Sequence, residues 1–447
     1  MNGDGFRDKS YWMTTRPYQP GPRLERDLEV DVAVVGGGFT GLSAAYFLKR
    51  DEPGLRVALL EGEVVGFGAS GRNGGFNMTL FGLTLGITAL RFGKAHAREA
   101  QHYMERAVEL VRELVRELKL DCDYEHPGFL RVATSRKYRD RILHELDLAH
   151  RLGLKGIEWI DAPRLGEEVR SPTYLGAWSE PRCGILNPAK LSWAWKETLE
   201  PMGVLVFERT PVASMTREGN RIRLETPGGV VRAEKVVLAT NAWSHFFPQL
   251  RRKQLPVWTH VVLTEPLREE HFREIGWRNR QGIEDARDLV HYYRLTADNR
   301  LLMGGRDVSV SRGLDMNRDL NDQVFAGLER DVVEIFPALR GVRFTHRWGG
   351  PVSVPLDMAP ALGYAGDRNV VYSLGCVGHG VSLTHLNGRT IADLVLGRDT
   401  DLTRVFFVNR RTIPWPPEPL RSLAVSAILG FMHAEDRWND RRQRVMH

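Results

Sequence analysis

Hydrophobic positions in this chain fall into uninterrupted runs, three-and-four spacings and short alternating stretches, and their order predicts the architecture. Residues 30–35 read as an apolar strand of the kind buried on both faces of a parallel sheet. Three glycines at 36–38 break it, residues 39–49 follow as an amphipathic helix, and RVALLE at 56–61 is a second buried strand. Residues 30–61 therefore form a complete βαβ unit. A glycine-dense loop at 66–75 leads to a long helix over 95–118, where Val108, Val111, Leu114, Val115 and Leu118 recur at spacings of three and four. Residues 121–190 alternate short strands at 128–134, 156–160 and 173–178 with a helix over 137–152, and Pro188 opens another helix. Strands follow at 204–207, 221–225 and 236–239, then a strand-rich stretch over 251–308, a helix over 321–336 and a closing strand–glycine–helix unit over 370–396. Prolines at 414–419 make a stiff connector into a C-terminal helix that ends in arginines.

Buried-type strands thus lie near both ends and in the middle, separated by two blocks of mixed strands. This order predicts an α/β fold with one nucleotide-binding sheet assembled from discontinuous pieces, 28–92, 186–248 and 346–400. A second, antiparallel-sheet domain is inserted twice, as 93–185 and 249–345, and 401–447 is the connector and terminal helix.

Composition narrows the setting. The 447 residues carry a formal charge of +6 with Arg scattered along the chain, which describes a solvated surface and no nucleic-acid partner. Cys122, Cys183 and Cys376 are far apart and odd in number, so neither a disulfide scaffold nor a metal site is expected, and a reducing, cytoplasmic compartment is. Residues 1–22 are polar, unlike a secretory leader, and the mature chain is expected to start near residue 1. The thirteen residues 420–432 fall short of the ~18–20 needed to span a membrane, so this segment packs on its own protein or lies on a surface.

Two motifs carry chemistry. GGGFTG at 36–41 follows a strand, opens a helix and precedes Glu61 at the end of the next strand. Gly36 serves the tight turn, Gly38 the backbone approach to a pyrophosphate, and Gly41 the close packing of helix on strand. Phe39 and Thr40 open the helix whose amino end faces the phosphates. Glu61 accepts ribose hydroxyls and disfavours a 2′-phosphate. The second motif, GFGASGRNGG at 66–75, selects the dinucleotide: a bound flavin must be approached by backbone on several sides, which a nicotinamide cofactor does not require. Gly68, Ala69, Ser70, Gly71, Asn73, Gly74 and Gly75 are its contact positions, and Arg72 brings a cation to a phosphate or a carboxylate.

With these motifs the chain resembles the FAD-dependent D-amino-acid oxidase family, which includes glycine and sarcosine oxidases, and within it the branch of gamma-glutamylputrescine oxidase. The resemblance rests on SYW at 10–12, DVAVVGGGFTGLSAA at 31–45, VGFGASGRNGG at 65–75, LATNAW at 238–243, YYRLTADNRLLMGG at 292–305, RWGG at 347–350, GHGVSLTHLNG at 378–388 and the proline-rich tail. It implies a Rossmann-type, glutathione-reductase-like FAD domain with an inserted antiparallel substrate domain. It also implies that Val212 presents backbone to the adenine, that Thr240, Asn241, Ala242 and Trp243 lie near the pyrophosphate, and that Gly378, His379, Gly380 and Val381 place N–H groups beside the flavin N1 and C2 carbonyl.

The substrate side is read from single residues. Trp348 is assigned to a cavity wall. Tyr292 and Tyr293 share a strand and point to opposite faces, and Tyr293 is taken as the one that reaches a cavity. His260, His291 and Arg306 are pocket candidates, His379 shapes the cofactor loop or acts as a base, and Cys376 is a small buried residue before a glycine turn. Family members that hold a substrate carboxylate do so with an Arg five residues before the Asp of a D-x-x-P motif, or a Lys three residues after the His of GHG. Here those positions are Val352 and Ser382. Unless Arg306 or Arg347 substitutes, an α-amino acid has no cation to meet its carboxylate. The expectation is an FAD enzyme, monomeric or homodimeric, that dehydrogenates a small primary or secondary amine and passes electrons to oxygen or another acceptor. Two alternatives stand beside it: an amino acid or N-methyl amino acid oxidase or dehydrogenase, and an FAD-binding redox or partner-binding subunit without catalysis.

Overall fold

The computed structural model describes residues 5–310 and 315–444, with the backbone alone for 440–444; Met1–Asp4 of the polar leader and the arginine side chains that end the C-terminal helix lie outside the described residues. Two eight-stranded sheets organise it. The first places Leu28–Val35 between Gly229–Leu238 and Val57–Leu60, with Leu205–Phe207 beyond Val57–Leu60 and Val370–Leu374 beyond Gly229–Leu238, all parallel. Ala361–Tyr364 closes one edge antiparallel.

These strands read as apolar runs because both faces are covered. Val32, Val34, Val57, Leu59, Val237 and Val371 point to the face packed by the helices Phe39–Asp51 and Gly380–Val395. The alternate residues Ala33, Val35, Ala58, Leu60, Val236 and Leu238 point the other way, onto Ile222 and Leu224 of an antiparallel hairpin.

The second sheet runs Phe344–Val354, Leu255–Pro266, Arg300–Val310, His291–Leu295, Gly282–Asp285, Phe129–Val132, Gly176–Glu180 and Glu158–Asp161. It is antiparallel except where Gly282–Asp285 pairs parallel with Phe129–Val132. Here the structure departs from the sequence expectation. Phe344–Val354, assigned to the nucleotide-binding pieces from residue 346 onward, is an edge strand of the second sheet, paired antiparallel with Leu255–Pro266 from Leu255↔Val354 to Thr264↔Phe344. The helices Leu85–Phe92, Ala162–Glu168 and Glu269–Ile275 were not expected either; the first two are short, and the third interrupts a stretch read as strands.

Helix Lys94–Glu117 joins the halves, since Tyr103 Oη meets Asn387 Oδ1 and Thr390 Oγ1 of the last core helix, each at 2.9 Å. The C-terminal helix Leu420–Arg444 docks through polar groups, with Tyr138 Oη donating to Asp436 Oδ1 at 2.7 Å, while Leu423 and Phe431 are exposed. Among the described residues no helix is long and apolar enough to cross a membrane.

An ionic cluster ties the second sheet to the helix Asp322–Ile335. His291 Nδ1 lies 3.0 Å from Asp285 and its Nε2 2.8 Å from Asp331, while Arg287 pairs with Asp285 and Arg306 with Asp331. Burial alone would lower the His291 pKa, but the two carboxylates outweigh it and raise it to about 9 from 6.5. A raised folded-state pKa contributes stability that is full below pH 6.5 and lost as pH rises through about 9. Wild-type unfolding free energy is therefore expected to fall between pH 6.5 and 9.5 by on the order of 1–3 kcal/mol. Denaturant unfolding of His291→Gln should lack this drop across the same window.

Candidate cofactor and substrate site

A cavity of about 400 Å3 opens where Val35, Leu60, Ala239 and Cys376 end or follow the parallel strands. The carboxyl edge of such a sheet is where the topology leaves a crevice. Its wall is shaped by missing side chains. Gly36 has φ +108°, and a Cβ there would lie 2.5 Å from the Ala239 carbonyl oxygen; a Cβ on Gly41 would lie 2.0 Å from that of Gly36. Gly41 is thus behind the wall, while Gly36, Gly38, Phe39 and Thr40 line it. Gly38 is extended, and a Cβ on it would lie 2.8 Å from Ser70 Oγ, which accepts the Phe39 N–H at 3.0 Å. The two glycine motifs therefore touch. Glu61 lines the cavity, accepting from Gly37 N at 2.7 Å and Glu63 N at 2.9 Å, and burial pushes its carboxyl up to about 7.

Only part of the 66–75 loop faces this space. Gly68, Ala69, Ser70 and Asn73 line it. Gly71 packs on Met13 and the Gly66 carbonyl, Gly74 sits between the Phe76 and Tyr292 rings, and Gly75, with φ +75°, abuts the Leu186 carbonyl. Arg72 turns away to pair with Asp319 at 3.0 Å, so its cation serves a carboxylate. Across the cavity stand Val212, Thr240, Asn241 and Trp243, with Ala242 buried beneath them. Gly378, Gly380 and Val381 close one end at the start of the helix Gly380–Val395, beside Val352 and Cys376. His379 itself does not line it.

A family model described as FAD dependent oxidoreductase matches residues 31–394. The chain belongs to this family. It is 35% identical over 409 residues to gamma-glutamylputrescine oxidoreductase of Escherichia coli (strain K12), covering 91% of this chain and 92% of that one. It is 25% identical to glycine oxidase of Bacillus licheniformis, covering 85% and 97%. A solved glycine oxidase from Geobacillus kaustophilus superposes with a TM-score of 0.73 at 21% identity, over 86% of this chain and all of that one. The cavity fits FAD. A cradle without side chains at Gly36 and Gly38, a carboxylate at Glu61 and a helix start at Gly380 border one continuous space.

The residues expected on the substrate side are not gathered there. Tyr293 is buried in the second core, its hydroxyl 2.7 Å from that of Tyr174 and its ring edge-on to Trp277 and Phe336. The alternation of the strand was read correctly and the face wrongly: Tyr292 is the one on the cofactor-loop side, edge-on to Phe76. Trp348 walls neither the cofactor cavity nor the smaller one described below; it is buried behind the loop, donating Nε1–H to the Arg72 carbonyl at 2.8 Å. His260 is buried beside Phe325 with Nε2 3.2 Å from the Arg318 carbonyl. Arg306 and His291 belong to the ionic cluster, and Arg347 pairs with Glu329. His379 stands at the N-cap position of the last core helix without a capping hydrogen bond from its side chain, its Nε2 3.9 Å from the buried carboxylate of Glu284.

Sequence reasoning missed the groups that hold the loop from below. Ser10 Oγ donates to the Gly71 carbonyl at 2.7 Å and Trp12 Nε1 to that of Asn73 at 2.9 Å. Arg294, fully buried, donates to the carbonyls of Gly75 and Leu186 at 3.1 and 2.8 Å, and burial lowers its pKa to about 10. The SYW segment was the available signal for the first two. Because Trp348 grips the same loop, Trp348→Phe, which keeps the packing and removes the hydrogen bond, is expected to weaken FAD binding about 3- to 10-fold. Fluorescence titration of the apoprotein with FAD measures this.

Proposed function

We propose that the protein oxidises the C–N bond of a primary or secondary amine to an imine. The observation that carries this reading is electrostatic: none of the described residues lining the cofactor cavity is a Lys, Arg or His. Val352 lines it without charge, and Ser382 is buried with its hydroxyl donated to the Met78 carbonyl at 2.6 Å. Arg306 and Arg347 are committed to Asp331 and Glu329. An α-carboxylate desolvated against the Val352 end of this cavity would find no lining cation to meet it. The name of the 35% identical relative, an oxidoreductase of gamma-glutamylputrescine, points the same way.

In this reading the parallel-sheet segments grip the cofactor and the second sheet faces the substrate. When bound, FAD supplies the two-electron acceptor for the hydride leaving the amine α-carbon. The chain contributes position and field. N–H groups of Gly380 and Val381, at the start of a 16-residue helix, favour negative charge at that end of the cavity. Burial lowers the proton affinity of the amine, which must be neutral to lose hydride. The imine hydrolyses in water, and oxygen or another acceptor takes the electrons onward. The three buried, free cysteines support a reducing, cytoplasmic setting.

Glu61 serves the adenosine end in this scheme. Glu61→Ala is expected to cost about 2–4 kcal/mol of FAD affinity, read by flavin titration, while the rate of flavin reduction in the saturated enzyme stays unchanged. The reaction class is tested by mixing oxidised enzyme anaerobically with simple alkylamines, glycine, sarcosine and D-alanine, and following the flavin absorbance. Alkylamines should reduce it at least about tenfold faster, a difference of ~1.4 kcal/mol in barrier. Rapid reduction by the amino acids with alkylamines inert overturns the amine reading in favour of an amino acid oxidase. No reduction by any of them favours a non-catalytic subunit.

A further inference from the structure

A second cavity, of about 50 Å3, lies between the strands Phe129–Val132, Gly176–Glu180 and Gly282–Asp285 and the helices Leu85–Phe92 and Lys94–Glu117. Its floor continues the cofactor loop through Met78 and Thr79. Ser382, three residues after His379, donates its hydroxyl to the Met78 carbonyl of this cavity, and its neighbour Val381 lines the Gly378–Val381 end of the cofactor cavity.

The polar wall is acidic: Glu145, Glu180 and Glu284 face a single lining cation, Arg131. Arg131 donates to Glu145 at 2.7 Å. Glu180 accepts from Thr79 at 2.8 Å and has Arg182 at 3.5 Å, a cation it shares with Glu105. Glu284 is left over. It is 4% exposed, and among the described residues its carboxylate receives no side-chain hydrogen bond. Arg131 sits opposite it on the paired strand and attracts it, but directs its hydrogen bond to Glu145, and His379 Nε2 stays 3.9 Å away. A buried carboxylate without a donor is costly unless a cation completes it.

Resting on the amine reading above, we infer that this cavity receives a second, protonated alkylammonium end of the substrate, separate from the neutral nitrogen that is oxidised, and that Glu284 is the specificity-determining carboxylate that pairs with it. An ammonium brings three N–H donors to a site that lacks them. The volume admits a compact, unbranched cationic end. The same carboxylates repel an α-carboxylate, so the site selects by rejection as well as by attraction.

The test separates binding from turnover. Holoenzyme held reduced by dithionite under nitrogen, where no amine can be oxidised, is titrated calorimetrically with n-butylamine and with butan-1-ol as the neutral match. Wild type should bind n-butylamine, and Glu284→Gln should bind it about ten- to a hundredfold more weakly, with butan-1-ol unchanged. Glu284→Asp, which keeps the charge on a shorter stem, should fall between, and it decides the matter where the glutamine variant loses FAD. Wild-type affinity in Glu284→Gln, or in Glu284→Asp where that variant decides, overturns the assignment, as does a wild type that binds no n-butylamine. Glu284-dependent binding combined with no flavin reduction by any amine supports the site and sinks the oxidation chemistry. Reduction by n-butylamine with Glu284-independent binding does the reverse.

Discussion

The contact on which the rest of the structure depends lies between two glycines. A Cβ on Gly41 would lie 2.0 Å from the carbonyl oxygen of Gly36, so helix Phe39–Asp51 sits directly on the turn that ends the central strand. The last core helix then packs as closely on the first, since a Cβ on Gly388 would lie 2.5 Å from Ser43 Oγ. Two helices far apart in the chain are thereby locked side by side with both amino ends at the same edge of the sheet. The amino ends of the two helices, at Phe39 and Gly380, open on one cavity for that reason. Any larger residue at Gly41 would lift the first helix and separate the two ends.

Where the two sheets meet, the 66–75 loop is held by groups from distant parts of the chain. Ser10 and Trp12 reach it from the N-terminal segment, Arg294 and Trp348 from the second sheet, and Asp319 through Arg72. Each hydrogen bond is worth only about 0.5–1.5 kcal/mol, or somewhat more where charge assists. Together they fix a backbone that has few side chains of its own with which to pack. The shape of this wall therefore depends on both sheets, which couples the cofactor cavity to the second domain.

That coupling also explains what was legible in the sequence. The βαβ unit, Glu61 at the strand end and the glycine loops are local patterns, with each residue's role set by neighbours within a few positions, and the structure puts Gly36, Gly38, Glu61, Ser70 and Gly380 along one cavity. The substrate side depends on pairings that no local pattern encodes. The parity of Tyr292 and Tyr293 was clear, but which face meets the loop depends on how strand His291–Leu295 lies between Arg300–Val310 and Gly282–Asp285. Trp348, expected on a cavity wall, is buried behind the 66–75 loop on a strand that pairs with Leu255–Pro266. Arg306 and His291 looked like free polar groups, and their partner Asp331 comes from a helix 25 and 40 residues on. Glu284 stands in a strand reading G-I-E-D with no local signal of burial, yet all four residues are buried.

The division of labour has a consequence for how such an enzyme changes its substrate. The cofactor cavity is bounded by backbone at Gly36 and Gly38, and a Cβ at Gly36, Gly38 or Gly41 would lie 2.0 to 2.8 Å from a neighbouring atom, so this half of the site tolerates little variation. The neighbouring acidic cavity takes Arg131, Glu180 and Glu284 from Phe129–Val132, Gly176–Glu180 and Gly282–Asp285, whose backbone hydrogen bonds persist whichever side chain they carry, and Glu145 from the helix Arg136–Arg151. A side chain on these strands can change without removing a backbone hydrogen bond of the sheet. Glycine oxidase and gamma-glutamylputrescine oxidoreductase are both relatives over more than 80% of this chain. The glycine contacts that bound the cofactor cavity leave little room for change, whereas the sign of the charge on the neighbouring cavity is set by a few side chains. In this chain that sign is negative, with three carboxylates facing one guanidinium.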